Sequence, residues 1–165
     1  MNNKRYLALI IGMATCAAVT ASDQIVIPAI LVKDGDTIRA GSGYGAHHVR
    51  LCAIDTPEKD QPHGAEATAA LAAMLLSGDP LRIVFTGSAA WGRVNGLIIG
   101  DDPKYINLQM VKDGHAWAAR DIYADDCGQL LPPEVLQAAE DEARAAKRGL
   151  WTLPNPIRPS EWRKK

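Results

Sequence analysis

Five short segments rich in β-branched and other apolar residues, separated by turn signals, narrow the possible folds of this chain. Asp34-Gly35 predicts a tight turn after the first segment, and the glycine-rich stretch 41–45 predicts a flexible connection after the second. Pro28 interrupts the first segment, and since proline cannot donate a ladder hydrogen bond, this segment belongs at a sheet edge or a bulge. The five predicted strands are Ile25–Val32, Thr37–Arg39, His48–Ile54, Leu81–Phe85 and Trp91–Ile99.

Three further segments have helical composition and spacing: residues 64–77, 108–112 and 132–147. The first carries Ala67, Leu71 and Leu75 at four-residue spacing, Asn107 is the predicted N-cap of the second, and the Pro-Pro pair at 132–133 predicts the start of the third. We therefore expect an α+β, mainly β, fold. The element order favours a five-stranded barrel of the oligonucleotide-binding (OB) type packed with about three helices, although composition alone does not separate it from other α+β folds.

Residues 1–21 predict a secretory signal peptide. Lys4 and Arg5 form a basic start, an apolar run extends from Tyr6 to Val19, and small residues surround Ala21. An uncleaved membrane anchor is the alternative, but the apolar run is shorter than the roughly 20 residues that span a bilayer. We expect a secreted or periplasmic protein with no stable membrane association after cleavage, one folded domain over 22–153 and a proline-rich basic tail over 154–165.

The charge balance argues against a broad nucleic-acid-binding face. The chain has 18 basic and 19 acidic side chains. Removal of residues 1–21 takes away two basic and no acidic side chains, which leaves 16 against 19 and a net charge of −3. Proteins that neutralise many phosphates usually present an extended basic surface. Any polyanion must therefore be bound locally.

Two cysteines, Cys52 and Cys127, follow the predicted leader. An even number of cysteines in an exported chain permits one disulfide, because oxidising compartments allow pairing. Cys52 also lies in an apolar run, where a free cysteine serves as a small buried side chain. The sequence leaves both possibilities open.

Two acidic patches supply candidate metal ligands. Asp36 and Asp55 contribute carboxylates, and Pro57 keeps Thr56 extended so that its backbone carbonyl is available. Such oxygen ligands suit one Ca²⁺ ion, with Mg²⁺ as the less favoured alternative. Each patch also has a simpler explanation, since Asp-Gly-Asp is common in solvated turns and Asp-Thr-Pro-Glu at helix starts.

Arg50 and Arg93 are candidate phosphate-binding residues, because a guanidinium group matches two phosphate oxygens and stabilises charge that builds up on phosphorus. Surface ion pairs are the simpler alternative for each. Arg50 and Asp55 are five residues apart and would face opposite sides of a regular strand. If both serve one site, a bulge or sharp twist must occur near Ala53.

The ordered motifs Asp34-Gly-Asp-Thr37, Arg50-Leu-Cys-Ala-Ile-Asp55-Thr-Pro-Glu58, Gly92-Arg93 and Ile106-Asn107 to Trp117 resemble the staphylococcal nuclease (thermonuclease) family. The resemblance spans about Ile25 to Trp151 and implies the five-stranded OB barrel with three helices. The implied activity is Ca²⁺-dependent cleavage of DNA and RNA with little sequence specificity, leaving 3′-phosphate ends.

The resemblance also implies residue roles. Asp36 and Asp55 match the metal carboxylates of the family, and Thr56 matches its carbonyl ligand. Arg50 and Arg93 match the two phosphate-binding arginines, and Glu58 matches the carboxylate usually assigned as general base. The expected catalytic residues are therefore Arg50, Glu58 and Arg93, and the expected metal ligands are Asp36, Asp55 and Thr56.

Departures from the family pattern concern substrate binding. Trp91 stands where tyrosine is frequent, and Trp91, Arg120 or Tyr123 is a candidate for stacking on a nucleotide. The histidines lack metal-ligand spacing, so His63 is expected to be solvated and His115 to order a helix end.

We expect DNA and RNA as substrates, single strands favoured over double strands, and a monomeric enzyme. The main alternative is an OB-fold module that binds nucleic acid or protein without cleavage. Glu58 together with both arginines favours the enzyme, since binding alone does not need all three.

Overall fold

Eight short strands form two sheets in the computed structural model, which describes residues 24–26, 30–41, 46–76, 81–89, 92–100, 105–119 and 127–165. The strands are β1 (Gln24–Val26), β2 (Ile30–Val32), β3 (Thr37–Ala40), β4 (His47–Leu51), β5 (Ile54–Asp55), β6 (Arg82–Ala89), β7 (Arg93–Ile99) and β8 (Trp117–Ala118). The larger sheet has the order β1-β6-β7-β4-β3-β2, and β5 pairs with β8 in the smaller one. Only β4 and β7 are parallel among the strand pairs of the described segments.

The two ends of the larger sheet are occupied by adjacent pieces of chain. β1 pairs with β6 at one end, β2 pairs with β3 at the other, and only residues 27–29 separate β1 from β2. The four Cα–Cα steps from Val26 to Ile30 span at most about 14 Å. The two ends of the sheet therefore approach each other, as in a curled barrel. With β1 and β2 counted as one interrupted strand, the larger sheet has the five predicted strands. The edge position predicted for that strand is confirmed, while Pro28 itself lies outside the described residues.

The helices are α1 (Gly64–Leu75), α2 (Ile106–Lys112), α3 (Cys127–Leu130), α4 (Pro133–Ala145) and α5 (Pro159–Trp162), with a 3₁₀ turn at Gly149–Thr152. In the described part of the chain three of them, α1, α2 and α4, exceed four residues, which confirms the predicted α+β arrangement. The buried face of α1 is formed by Ala67, Leu71 and Leu75 at the predicted spacing. These side chains pack against a core of strand residues that includes Ile38, Val49, Leu51, Ile83, Leu97 and Ile98.

Asn107 is not the N-cap of α2, and that prediction is wrong. The helix begins at Ile106, two residues before the predicted start at Leu108, and Tyr105 precedes it. The fully buried Asn107 amide accepts a hydrogen bond from the Ile98 N–H (3.1 Å) and donates to the Cys52 carbonyl (2.9 Å). It thereby ties α2 to β7 and to the end of β4, and a buried amide with several partners is more constrained than an exposed cap.

A sharp turn at Cys52 and Ala53 separates β4 from β5, where the sequence predicted one strand from His48 to Ile54. Ala53 has φ of 62°, a left-handed conformation that is rare for alanine. The chain therefore changes direction between Arg50 and Asp55. This change of direction is the sharp twist that was predicted near Ala53 if Arg50 and Asp55 serve one site.

The same turn carries a disulfide bond. Cys52 is bonded to Cys127 at the start of α3, across a sequence separation of 75 residues. Both cysteines are buried, so the bond joins the β4–β5 turn to the helical layer inside the core.

Reduction of this disulfide is expected to lower the free energy of unfolding by about 2–4 kcal/mol, because it releases a long loop in the unfolded chain. Urea unfolding with and without a thiol reductant measures the change. The Cys52→Ala/Cys127→Ala double variant should show no further change on addition of reductant. An oxidised protein whose unfolding midpoint is insensitive to reductant would contradict the expectation.

Two regions at the ends of the sequence bear on the predicted domain limits. The predicted signal peptide, residues 1–21, lies outside the described residues, and no described helix has the length and apolar character needed to span a membrane. The tail from Pro154 to Arg158 is irregular, and Pro159 begins α5.

Candidate active site

The site begins in the turn between β2 and β3. The Lys33 N–H donates to the Thr37 carbonyl (2.9 Å), and the Asp36 N–H donates to Asp34 Oδ1 (3.2 Å). These bonds fold the Asp-Gly-Asp motif into a tight turn, as predicted. Asp36 is 2% exposed, so this acidic turn is not merely solvated.

Both oxygens of the Asp36 carboxylate accept hydrogen bonds. Oδ1 accepts from the Thr37 hydroxyl (3.1 Å) and from Arg50 Nη1. Oδ2 accepts from the Thr56 N–H (3.1 Å) and the Thr56 hydroxyl (3.0 Å). Residues from three separate stretches of the sequence therefore meet on one buried carboxylate.

Arg50 joins the two predicted metal carboxylates. Its Nη1 bonds to Asp36, while its Nη2 donates to Asp55 Oδ1 at 2.9 Å. The turn at Ala53 brings Asp55 back toward Arg50 and makes this arrangement possible. We refer to Asp36, Arg50, Asp55 and Thr56 as the central cluster.

Gly35 allows the acidic turn to approach Thr56 closely. A Cβ atom at Gly35 would lie 2.8 Å from Thr56 Oγ1 and 3.1 Å from the Cβ of Ala67. A side chain at this position would push the turn away from Thr56 and from α1. The glycine is thus required by packing as well as by the turn.

The electrostatics of the cluster combine burial with close charges. The pKa of Asp36 is raised to about 6, chiefly by burial, which outweighs the attraction of Arg50; the charges of Asp34 and Asp55 act in the same direction as burial. Burial alone would lower the pKa of Arg50, but the charges of Asp36 and Asp55 raise it above its ordinary value. The cluster therefore holds a fixed positive charge between two acids, and one of them binds a proton readily.

The donor set of the cluster fits a hard divalent cation. The carboxylates of Asp36 and Asp55 are joined through Arg50, Asp36 also bonds to Thr56, and the ligand atoms that Asp36, Asp55 and the Thr56 backbone offer are oxygens. Within the described residues no group of three or more His, Cys, Asp or Glu side chains could hold a metal. A site built here would rely on two carboxylates, a backbone carbonyl and water.

Glu58 lies in the loop of residues 56–63, which we call the Glu58 loop, directly after the central cluster. Its N–H donates to Gln61 Oε1 (3.1 Å), and its carbonyl accepts from the Gln61 N–H (3.0 Å). A Cβ at Gly64 would lie only 1.9 Å from the Glu58 carbonyl oxygen, so glycine permits the loop to close onto α1. The Glu58 carboxylate is 37% exposed and forms an ion pair with Arg163.

Arg93 is placed by strand register. Arg50 on β4 is paired with Asn95 on β7, and paired residues project from the same face of a sheet. Arg93 lies two residues before Asn95 and therefore shares that face with Arg50. The four residues of the central cluster are thus joined by direct bonds. Arg93 lies on the same sheet face as Arg50, and Glu58 lies in the adjoining loop.

Two contacts were not predicted from the sequence. Arg163 pairs with Glu58, from which it is separated by 105 positions in the sequence, and no local sequence pattern predicts such a pair. His63 is half-buried rather than solvated and stacks on His115, with His63 Nε2 and His115 Nδ1 3.0 Å apart. Burial lowers the pKa of both rings. The candidate stacking residues Trp91, Arg120 and Tyr123 lie outside the described residues.

Comparison with known proteins agrees with this geometry. Residues 48–153 match the family described as staphylococcal nuclease homologue. An uncharacterized endonuclease of Escherichia coli is 33% identical over 134 residues, which cover 81% of this chain and 82% of that protein. An uncharacterized endonuclease of Haemophilus influenzae is 32% identical over 165 residues, covering 99% and 87%.

A plant relative points in the same direction. The staphylococcal-like nuclease CAN1 of Arabidopsis thaliana is 36% identical over 118 residues, which cover 70% of this chain and 33% of that protein. Arg50, Asp55, Glu58 and Arg93 lie within the matched residues 48–153. The chain belongs to the staphylococcal nuclease family of nucleases.

Proposed function

We propose that this protein is a Ca²⁺-dependent phosphodiesterase that hydrolyses DNA and RNA with little sequence specificity, leaving 3′-phosphate and 5′-hydroxyl ends. The observation that carries the proposal is the Arg50 bridge between Asp36 and Asp55. It places two carboxylates, which can bind a metal ion, and one guanidinium group, which can bind a phosphate, in the same cluster. The proposal includes a preference for single strands, a monomeric state and a location outside the cytoplasm. Weak Ca²⁺ sites fill at the millimolar concentrations found there.

Each residue of the site has a separate task in the proposed reaction. Asp36, Asp55 and the Thr56 carbonyl would hold Ca²⁺, which when bound polarises a phosphoryl oxygen. Glu58 accepts a proton from the attacking water, whose oxygen forms the new bond to phosphorus. The bond between phosphorus and the 5′ oxygen breaks, and the leaving 5′ oxygen takes up a proton from solvent, so that the 3′ side retains the phosphate.

The arginines stabilise charge on the phosphoryl group. A guanidinium group offers five N–H donors, and Arg50 uses two of its nitrogens on the carboxylates of the central cluster. Arg93, on the same sheet face, presents a second guanidinium. Fixed cations of this kind lower the energy of the transition state because they need no reorganisation when its charge develops.

A single assay tests the proposal. The purified protein is incubated with single- and double-stranded DNA and RNA in Ca²⁺, in Mg²⁺ and in chelator, and the product ends are identified by their susceptibility to a 3′-phosphatase. We expect cleavage in Ca²⁺, with 3′-phosphate ends and faster turnover on single strands. Tight binding without cleavage in any cation would favour the non-catalytic OB-fold module.

The raised pKa of Asp36, about 6, predicts that Ca²⁺ affinity falls on acidification. The proton and the cation compete for the same carboxylate, so the dissociation constant should be about tenfold larger at pH 5 than at pH 7.5, with proton release on binding. Isothermal titration calorimetry at several pH values measures both effects.

Asp34→Asn provides a matched control for this titration. It keeps the Oδ1 that accepts the Asp36 N–H but removes a charge that raises the pKa of Asp36. The midpoint of the pH dependence should therefore move to lower pH in this variant. A Ca²⁺ affinity that is constant from pH 7.5 to 5 would contradict the assignment of Asp36 as a ligand.

A further inference from the structure

The tail (residues 154–165) lies against the Glu58 loop. Arg163 pairs with Glu58, Trp162 Nε1 donates to Asp60 Oδ1 (3.3 Å), and the Gln61 side-chain amide donates to the Ile157 carbonyl. Three of the four consecutive loop residues 58–61 therefore contact the tail. The loop that carries the predicted general base is bordered by the tail.

The tail is also anchored on the helical layer. Arg158 Nη2 lies 3.5 Å from Glu140 Oε1, and Arg158 Nη1 donates to the Ala118 carbonyl (3.3 Å). Glu140 is fully buried on α4, and Pro159 is buried at the start of α5. The tail is therefore held by contacts with α4 and Ala118 as well as by contacts with the Glu58 loop. These contacts together determine its position beside Glu58.

The positive charge of the chain is concentrated in this tail. Residues 154–165 contain four basic side chains and one acidic, whereas residues 1–153 contain fourteen basic and eighteen acidic. Arg163 is 56% exposed and is followed by the exposed Lys164 and Lys165. The Lys165 ammonium lies 5.1 Å from the centre of the Trp162 ring. A cationic and aromatic surface thus adjoins Glu58 in an otherwise acidic protein.

This surface retains donors for an anion. The pair with Glu58 uses Arg163 Nη1, and a guanidinium group carries five N–H donors in all. An arginine can therefore bond to a carboxylate and a phosphate together. Three consecutive cations suit a repeating anion better than a single phosphate.

We propose that Arg163, Lys164 and Lys165 bind backbone phosphates of a polynucleotide, in the part of the strand that flanks the cleaved bond. The proposal rests on the proposed nuclease function and adds a substrate-binding surface beside Glu58, outside the central cluster. A dinucleotide has only one backbone phosphate, which is the one that is cleaved, so it offers these side chains no flanking phosphate.

The Lys164→Ala/Lys165→Ala double variant tests the proposal, because neither lysine contacts Glu58 in the described structure. Binding of a fluorescein-labelled 20-nucleotide DNA strand is measured by anisotropy in chelator over a series of salt concentrations. We expect the dissociation constant to rise about 3–10-fold and the salt slope to fall by about 1.4, since each single-strand phosphate contact contributes about 0.7. Cleavage of a dinucleotide in Ca²⁺ should be unchanged.

Arg82→Ala is the control for loss of positive charge. Arg82 is exposed on β6 and is paired with Ile99 on β7. Ile99 is six residues from Arg93, a distance of about 20 Å along the strand. Its dissociation constant and salt slope should match those of the wild type. Thermal melting verifies that each variant is folded.

The possible outcomes separate this inference from the proposed function. Wild-type affinity and salt slope in the double variant, in a protein that still cleaves, would overturn the inference alone. Faster cleavage by the double variant would also overturn it, since the tail would then obstruct the site. A wild-type protein that binds as expected but cleaves nothing would overturn the proposed function and leave the binding surface standing.

Discussion

Replacement of Glu58 by glutamine is expected to lower turnover about 10²–10⁴-fold. Glutamine preserves the size of the side chain but cannot take a proton from the attacking water. The variant also loses the charge that pairs with Arg163, but an exposed ion pair contributes little to stability. The fold should therefore persist, and the loss should appear in kcat under saturating Ca²⁺.

Glu66→Gln is the matched control, since Glu66 is an exposed carboxylate in the first turn of α1, eight residues after Glu58. It should retain wild-type turnover and a similar melting temperature. Near-normal turnover of Glu58→Gln would remove Glu58 from the mechanism and leave the Arg163 pair with a structural role.

Arg93→Lys is expected to lower kcat/KM about 10²–10³-fold, although the charge is conserved. A lysine ammonium is a point charge and cannot offer the planar pair of N–H groups that matches two phosphate oxygens. The loss should fall mainly on kcat if the arginine acts on charge that develops in the transition state. Steady-state kinetics on a single-stranded substrate give both parameters.

Arg82→Lys makes the same substitution on the same hairpin, at the end remote from the site. It should leave kcat and KM unchanged. If Arg93→Lys also shows wild-type kinetics, Arg93 has no part in phosphate binding, and Arg50 would be the sole arginine of the described site.

The strands could be predicted from local patterns, whereas the residues of the central cluster were named from motifs that resemble the family. Short β-branched runs between turn residues identified the five strands, and the parity conflict between Arg50 and Asp55 identified the twist at Ala53. That conflict was informative since only a change in chain direction could bring both side chains to one site. The Arg50 bridge between two carboxylates then follows from the fold.

The parts that were missed depend on contacts between distant residues. Asn107 has the composition of an N-cap, but its three buried partners belong to other elements and determine its position. Arg163 and Glu58 are 105 positions apart in the sequence, and the basic tail contains no motif that predicts which surface it packs against. The Cys52–Cys127 bond was one of two possibilities until the fold brought both sulfurs together.

The disulfide between the β4–β5 turn and α3 makes the stability of this fold dependent on redox conditions. In a reducing compartment such as the cytosol the two thiols would stay reduced, and the free energy of unfolding would be lower by about 2–4 kcal/mol. A smaller fraction of molecules would then hold Asp55 in place beside Arg50. The native site of this nuclease would therefore be most fully populated under oxidising conditions.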